Sequence, residues 1–235
     1  AILAATALGL PIFASLAGAA LILGWADGTP LSSVPGEAFR LSTSPLLPAI
    51  PLFTLGGYIL SAGGSSRRLL RLINALVGWM PGGLAIVIVL LLAFFTPLTG
   101  ASGVTIVAMG GLLLPMLVRA GYPERTSVGL ITVAGSIGIF LPPSLPVILY
   151  AFYANVPLER LFVAGALPGL LLVAAVAGWG AMRGIAGDAR RTAFSWPELR
   201  AALRDARFEV AMPVVLVGAM IAGFATLVET AALMV

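Results

Sequence analysis

The chain has 235 residues, of which 60% are hydrophobic and only 9% carry a charge. Soluble domains contain about 25% charged residues, so this composition indicates an integral membrane protein. Cys and His are both absent, which excludes zinc, haem and Cys/His catalysis of the usual kinds. All 13 basic residues are Arg, and in a membrane protein they mark loop orientation rather than nucleic-acid binding.

The N-terminal region, residues 1–62, is predicted to contain two membrane-spanning helices. Residues 1–23 are apolar and lack a basic leader, so we interpret them as a spanning helix rather than a removed signal peptide. A polar connection over residues 25–44 leads to the second span, residues 45–61.

Residues 63–82 alternate three arginines, Arg67, Arg68 and Arg71, with leucines. This pattern predicts a basic amphipathic helix that lies in the membrane interface, with Trp79 as an aromatic anchor. The alternative is a short helix that packs against the protein on the loop side of the membrane, and the sequence leaves both open.

Residues 84–118 consist of two apolar arms joined by a tip rich in Pro, Gly, Ser and Thr at 96–105. Each arm has only 12 to 14 residues, whereas a full crossing needs about 20. We therefore predict a re-entrant helical hairpin. The alternative is one long helix kinked at Pro97.

Residues 127–153 are apolar and long enough to cross a bilayer, but Pro142, Pro143 and Pro146 lie in the middle. Each proline removes a backbone donor and clashes with the preceding turn, so we predict two half-helices separated by extended backbone. Such backbone is tolerated at membrane depth only where it is buried in protein or faces a polar cavity. A Pro-kinked packing helix is the alternative.

The remaining elements are another span over 161–182, a basic cytoplasmic segment over 184–207, and a further apolar region over 208–235. Ser195 and Glu198 fit a capping box that starts a short surface helix through Arg207. If residues 84–118 are re-entrant, every arginine cluster falls on one side of the membrane, as the positive-inside rule requires. A full crossing there would place three arginines outside.

The two interrupted elements offer hydroxyl groups and freed carbonyls, and almost nothing that ionises. Their hydroxyl-bearing residues are Thr96, Thr99, Ser102, Thr105, Ser136 and Ser144. Neutral oxygens of this kind suit Na⁺, so sodium coupling is favoured over proton coupling. A single Ser or Thr in a membrane helix commonly satisfies its own i−4 carbonyl, which is the alternative for each one. A serine nucleophile would lack a basic partner, so we expect no enzyme activity and no cofactor.

The sequence resembles the large membrane subunit of tripartite ATP-independent periplasmic (TRAP) transporters. The resemblance rests on residues 94–103 (FFTPLTGASG) and 135–150 (GSIGIFLPPSLPVILY), supported by 51–57, 114–122, 161–169 and 213–218. It implies an all-α polytopic membrane protein with an elevator-type fold. In that fold, residues 1–62 are scaffold helices, 63–82 form an arm helix, and 83–183 form the transport-type region.

The resemblance also implies a function: Na⁺-coupled import of carboxylates across the bacterial inner membrane. The expected partners are a small four-helix membrane subunit, a periplasmic substrate-binding protein and the lipid bilayer. Carried over by position, the Na⁺ and substrate residues are the tip residues Thr99, Gly100, Ala101, Ser102 and Gly103 and the break residues Gly135, Ser136, Gly138, Pro142, Pro143 and Ser144.

A further break is expected at Thr226 and Glu229, where Leu227 and Val228 stand in place of the Pro and Thr usual in the family. Glu229 is expected to start a new helix there. The family contains a second, inverted repeat, and this chain resembles only the first half and the start of the second, so we expect a fragment that does not transport alone. The alternatives are an organic-anion carrier that needs no binding protein, and a non-transporting membrane assembly subunit.

Overall fold

The computed structural model describes residues 6, 9–30, 32–44, 47–100, 102–187, 192–221, 223–233 and 235, and these residues form helices and turns without a strand. The all-α prediction is confirmed. Three helical stretches are long and apolar enough to cross a membrane: Ser102–Arg119, Glu124–Ala154 and Leu158–Ala186. The chain divides into two compact units, residues 1–47 and 48–235.

The first unit contains helix α1 (Ile12–Ala26) and helix α2 (Ser33–Ser42). Pro11 precedes α1 in an extended conformation, so this helix begins at Ile12, within the predicted span 1–23. The polar connection predicted over residues 25–44 contains helix α2. The Ser33 hydroxyl donates to the Pro30 carbonyl at 2.7 Å, which supports the first turn of that helix.

The second unit contains ten α-helices among its described residues. They are α3 (Ala49–Ala62), α4 (Ser65–Val77), α5 (Gly83–Thr99), α6 (Ser102–Arg119), α7 (Glu124–Ile137), α8 (Leu145–Ala154), α9 (Leu158–Ala186), α10 (Trp196–Asp205), α11 (Arg207–Ile221) and α12 (Leu227–Leu233). A 3₁₀ turn, Gly138–Phe140, follows α7.

Helix α5 forms the centre of the second unit. Its side chains from Val87 to Val89 and at Leu91 and Leu92 are fully buried. Helices α3, α4, α6, α7 and α9 all pack against it. A helix that is apolar on every side is stable when it is surrounded in this way, so the sequence of α5 accounts for its central place.

Helix α4 packs against the protein through Leu69 and Leu72, which are buried. Its arginines face acidic side chains on later helices: Arg71 Nε lies 2.6 Å from Glu198 Oε1, and Arg71 Nη1 lies 2.6 Å from Asp205 Oδ2. The hydrogen bond from Arg71 holds the pKa of Glu198 below its ordinary value. These contacts match the packing-helix alternative, and an interfacial location of the outer face of α4 stays a prediction.

The ends of several helices meet on this side of the second unit. The Tyr122 hydroxyl, between α6 and α7, donates to the Gly82 carbonyl at the start of α5. The Thr192 amide donates to the Gly78 carbonyl at 3.2 Å. The start of α5 and the end of α6 therefore lie at the same end of the unit, with the basic segment before α10, as the hairpin prediction requires.

Glu209 on α11 is a buried carboxylate, 4% exposed, that ties α11 to α4. Arg68 Nε donates to its Oε1 at 2.6 Å, and the Ser65 hydroxyl donates to the same oxygen at 3.0 Å. Removing one partner of a buried ion pair leaves an uncompensated charge. We expect Arg68→Ala to lower the free energy of unfolding by about 2 kcal/mol, less than for a fully buried partner, because Arg68 is 41% exposed.

The measurement is chemical denaturation of the full-length protein in detergent, with the exposed neighbour Arg67→Ala as the control. Substitutions on an exposed surface usually change stability by less than about 0.5 kcal/mol. Equal losses for the two variants would contradict the role of the Arg68–Glu209 pair.

Candidate functional site

The hairpin turns at Gly100, which has a left-handed backbone (φ 69°) and whose amide donates to the Thr96 carbonyl at 3.0 Å. Helix α5 continues through Pro97 to Thr99, and α6 begins at Ser102. The tip is therefore shorter than the predicted 96–105, and the arms have 17 and 18 residues. The predicted arm length of 12 to 14 residues is wrong, because α5 keeps its helical form past the proline.

The second interruption lies where the prolines predicted it. Helix α7 ends at Ile137 and the 3₁₀ turn ends at Phe140, after which Leu141 and Ser144 are extended. The Pro142–Pro143 peptide bond is cis. Pro146 falls in the first turn of α8, where its missing amide donor costs nothing. The predicted broken helix is confirmed.

Two glycines near the end of α7 allow the two arms of the hairpin to pack closely against it. A Cβ on Gly135 would lie 2.4 Å from Ile106 Cγ1 on α6, and a Cβ on Gly138 would lie 2.5 Å from Thr96 Cβ on α5. Residues three apart share one face of a helix. Each glycine therefore receives one arm, and any larger side chain would push that arm away.

The hairpin tip contacts the start of α8. A Cβ on Gly100 would lie 2.2 Å from Leu145 Cδ1, so the tip and the break are in direct contact, as the sequence predicted. Helix α8 continues for nine residues beyond Leu145, or about 14 Å at 1.5 Å per residue. The contact shows that the two interruptions lie together, and the re-entrant depth of the hairpin stays a prediction, because Ser102–Arg119 is itself long enough to cross a membrane.

Ser144 is the most informative of the predicted site residues. It lies in the extended segment and is 1% exposed, and its hydroxyl has no hydrogen-bond partner among the described residues. A buried polar group without a partner costs about 1–3 kcal/mol. Pro143 beside Ser144 is buried, and Pro142 is half-buried.

Of the other predicted site residues, some lie at the hairpin tip and others face away from it. The Thr99 hydroxyl lies 2.5 Å from that of Thr105 across the tip, and Ser102 is half-buried beside it. Ser136 is exposed and donates to the Thr132 carbonyl at 2.9 Å, so its hydroxyl faces away from the break. Gly103 has open space at its Cβ position, and Ala101 lies outside the described residues.

Sequence reasoning named Thr96 and Thr105 only among the hydroxyls of the interrupted stretches, and it did not name Thr54 or Tyr58. A cavity of about 230 Å³ beside Thr99 and Leu145 is also lined by Thr54 and Tyr58 from α3 and by Thr105 from α6. Thr96 joins α5 to α7 through a hydrogen bond to the Gly135 carbonyl. Thr96 and Thr105 were visible as hydroxyls in the interrupted stretch, whereas nothing local in the sequence links α3 to the tip.

Four helix ends meet around the two interruptions. The C-terminal ends of α5 and α7 carry partial negative charge, and the N-terminal ends of α6 and α8 carry partial positive charge. Carbonyl ends attract a cation and amide ends attract an anionic group. Among the described residues, no cluster of three or more acidic side chains could hold a metal ion, so hydroxyl and carbonyl oxygens are the ligands that this region offers.

Thr226 and Glu229 form a capping box at the start of α12. The Thr226 amide donates to Glu229 Oε2 at 2.7 Å, and the Glu229 amide donates to Thr226 Oγ1 at 3.3 Å. This arrangement satisfies two orphan amides of the helix start. Glu229 therefore begins a helix, as predicted, and its carboxylate is engaged locally.

The family model described as "Tripartite ATP-independent periplasmic transporter, DctM component" matches residues 1–235. The chain belongs to this DctM family. Its similarity to TRAP large permeases extends over almost all of its length, and the family consists of transport proteins of the membrane. The predictions of a membrane protein and of a chain that is not an enzyme are thereby confirmed at the level of the family.

Three DctM-family relatives illustrate the similarity. The C4-dicarboxylate TRAP transporter large permease protein DctM of Vibrio cholerae is 34% identical over 228 residues, which cover 95% of this chain and 50% of the relative. The isethionate TRAP transporter permease protein DctMQ of Oleidesulfovibrio alaskensis is 34% identical over 230 residues, or 96% and 36%. The 2,3-diketo-L-gulonate TRAP transporter large permease protein YiaN of Escherichia coli is 37% identical over 173 residues, or 73% and 40%.

The chain spans about half the length of the Vibrio cholerae relative that it matches. The hairpin and the broken helix therefore correspond to one part of a longer permease. Both fall within the matched region.

Proposed function

We propose that the chain forms the Na⁺-binding half of a secondary transporter that imports small carboxylates by Na⁺ symport. The observation that carries this proposal is the buried hydroxyl of Ser144, which has no hydrogen-bond partner in the described part of the chain and lies where two interrupted helical elements meet. Hydroxyl and carbonyl oxygens, without an acidic cluster, fit a monovalent hard cation better than a divalent metal, which usually takes carboxylate ligands.

The ion would be held by oxygens from both interruptions. The candidates are the Ser144 hydroxyl, the hydroxyl pair of Thr99 and Thr105, and backbone carbonyls at the ends of α5 and α7. The negative ends of these two helices favour a cation at that position. The proposal needs no titratable ligand, so we expect Na⁺ binding to depend little on pH in the neutral range.

The carboxylate substrate is inferred from the relatives and from the helix ends. Two relatives are named for C4-dicarboxylate and 2,3-diketo-L-gulonate, and one is named for isethionate, a sulfonate. All three are small organic anions. The N-terminal ends of α6 and α8 supply the partial positive charge that an anionic group prefers, and the cavity beside the tip would take the apolar part of such a molecule.

The transport cycle and its partners are part of the same proposal. Membership of the DctM family supports a complex with a small membrane subunit and a periplasmic binding protein in the bacterial inner membrane. An elevator movement would carry the hairpin and broken helix as one body past scaffold helices. The contacts between the hairpin and the broken helix support movement as one body, because Thr96 bonds to Gly135 and the hairpin tip meets Leu145.

The test is uptake by the full-length protein, reconstituted with its membrane partner into vesicles and supplied with a carboxylate-loaded binding protein. We expect uptake driven by an inward Na⁺ gradient and abolished when choline replaces Na⁺. Uptake that is indifferent to Na⁺ would contradict the coupling. Uptake of free substrate at full rate without the binding protein would favour a binding-protein-independent carrier instead.

A further inference from the structure

Thr96 is a buried threonine of α5 whose hydroxyl contacts two different helices. Its Oγ1 lies 2.8 Å from the Leu92 carbonyl in its own helix and 3.0 Å from the Gly135 carbonyl in α7. The residue is fully buried. Because a threonine hydroxyl has one hydrogen, that hydrogen is shared between the two carbonyls.

The two exposed hydroxyls of α7 are engaged only locally. Thr132 and Ser136 on α7 each donate to the carbonyl four residues earlier, at 2.9 Å in both cases. This local bond is the ordinary state of such residues in a helix. Thr96 differs because it also reaches a carbonyl 39 positions away in the sequence, and so it connects the hairpin to the broken helix.

The carbonyl that Thr96 reaches is one that a helix end leaves in need of a partner. Gly135 is among the last four residues of α7, and the last four carbonyls of a helix lack an intrahelical donor. The close approach is possible only because Gly138 has no Cβ, which would lie 2.5 Å from Thr96 Cβ. The donor, the acceptor and the space between them are thus all specified by the sequence.

We propose that Thr96 is a positioning residue that fixes the hairpin against the end of α7 and so sets the geometry of the Ser144 segment. This inference rests on the proposed function where it concerns Na⁺, but the tie itself does not. Thr96 acts through Gly135 and through the backbone that follows it. Its loss loosens residues 138–144 and lowers the affinity for the cation that this segment would bind.

The test compares Thr96→Val, which keeps the shape but removes the hydroxyl, with Thr96→Ser, which keeps the hydroxyl. Hydrogen exchange of the amides at Ile139, Phe140 and Leu141 is followed in the full-length protein, in Na⁺ and in choline. We expect Thr96→Val to accelerate exchange by about 5- to 10-fold, the equivalent of one hydrogen bond. The Na⁺ concentration that half-saturates the site should rise by a similar factor. Thr96→Ser should keep both the exchange rate and the Na⁺ affinity of the wild type.

Thr132→Val is the matched control, because its hydroxyl is exposed and bonds only within α7, and it should leave the exchange of these amides unchanged. Exchange in Thr96→Val at the wild-type rate, or equal acceleration in Thr132→Val, would overturn the proposal. If the exchange rate of the wild type is the same in Na⁺ and in choline, the proposed function is contradicted. Faster amide exchange of Thr96→Val in choline would still support the hydrogen bond that joins the hairpin to the broken helix.

Discussion

Gly138→Ala is expected to lower the free energy of unfolding by about 3 kcal/mol, at the upper end of the range for overpacking a core, and to remove Na⁺-dependent stabilisation. The added Cβ would lie 2.5 Å from Thr96 Cβ and 3.2 Å from Pro97 Cδ. These atoms belong to a central helix that is enclosed on all sides, so they have no flexible end to move away. The hairpin must shift away from the break instead.

Gly129→Ala is the control, since Gly129 lies in helix α7, which Gly138 directly follows, and a Cβ there meets nothing within 4 Å. Replacing an unstrained helical glycine by alanine stabilises by roughly 0.5–1 kcal/mol. Thermal unfolding of both variants, with and without Na⁺, checks the pair. Similar behaviour of the two variants would mean that α5 and α7 do not meet at Gly138.

Gly100→Ala is expected to lower the free energy of unfolding by about 3 to 4 kcal/mol. About 1–2 kcal/mol comes from placing a Cβ on a left-handed backbone, because φ at this position is 69°. The remainder comes from overpacking against Leu145, whose Cδ1 and Cγ would lie 2.2 and 2.5 Å from the new Cβ. The change would separate the tip from the start of α8.

Gly28→Ala separates these two contributions, because its φ is 78° but its Cβ position is open. It should show only the backbone cost of about 1–2 kcal/mol. The double variant Gly100→Ala/Leu145→Ala should recover part of the loss relative to Leu145→Ala alone. Chemical denaturation measures all four proteins. Equal losses for Gly100→Ala and Gly28→Ala would contradict the contact between tip and break.

The interruptions themselves could be predicted from sequence because their causes are local. Pro142 and Pro143 each remove a helical donor wherever they occur, so the break in the predicted 127–153 helix did not depend on the rest of the fold. The N-cap of Ser195, whose hydroxyl accepts from the Glu198 amide, and the capping box of Thr226 are likewise local. In each case the residues that determine the structure lie within a few positions of one another.

The arms and contacts of the hairpin could not be predicted in the same way. Pro97 was assigned to the tip by its local preference, yet α5 continues through it, because proline is tolerated in membrane helices whose neighbours compensate. The Thr96–Gly135 bond and the Gly100–Leu145 contact join residues far apart in sequence. Composition showed that hydroxyls were present, but only the packing of α7 distinguishes buried Ser144 from exposed Ser136.

Equilibrium binding of ²²Na⁺ to the full-length protein, with Ser144→Ala compared against Ser136→Ala, tests the central claim most directly. The two serines lie on either side of the 3₁₀ turn, but only Ser144 is buried without a hydrogen-bond partner among the described residues. We expect Ser144→Ala to weaken Na⁺ binding by at least about 10-fold, the value of one good ligand in a buried site, without loss of stability in choline. Ser136→Ala should bind as the wild type does. Unchanged Na⁺ binding in Ser144→Ala would contradict the account.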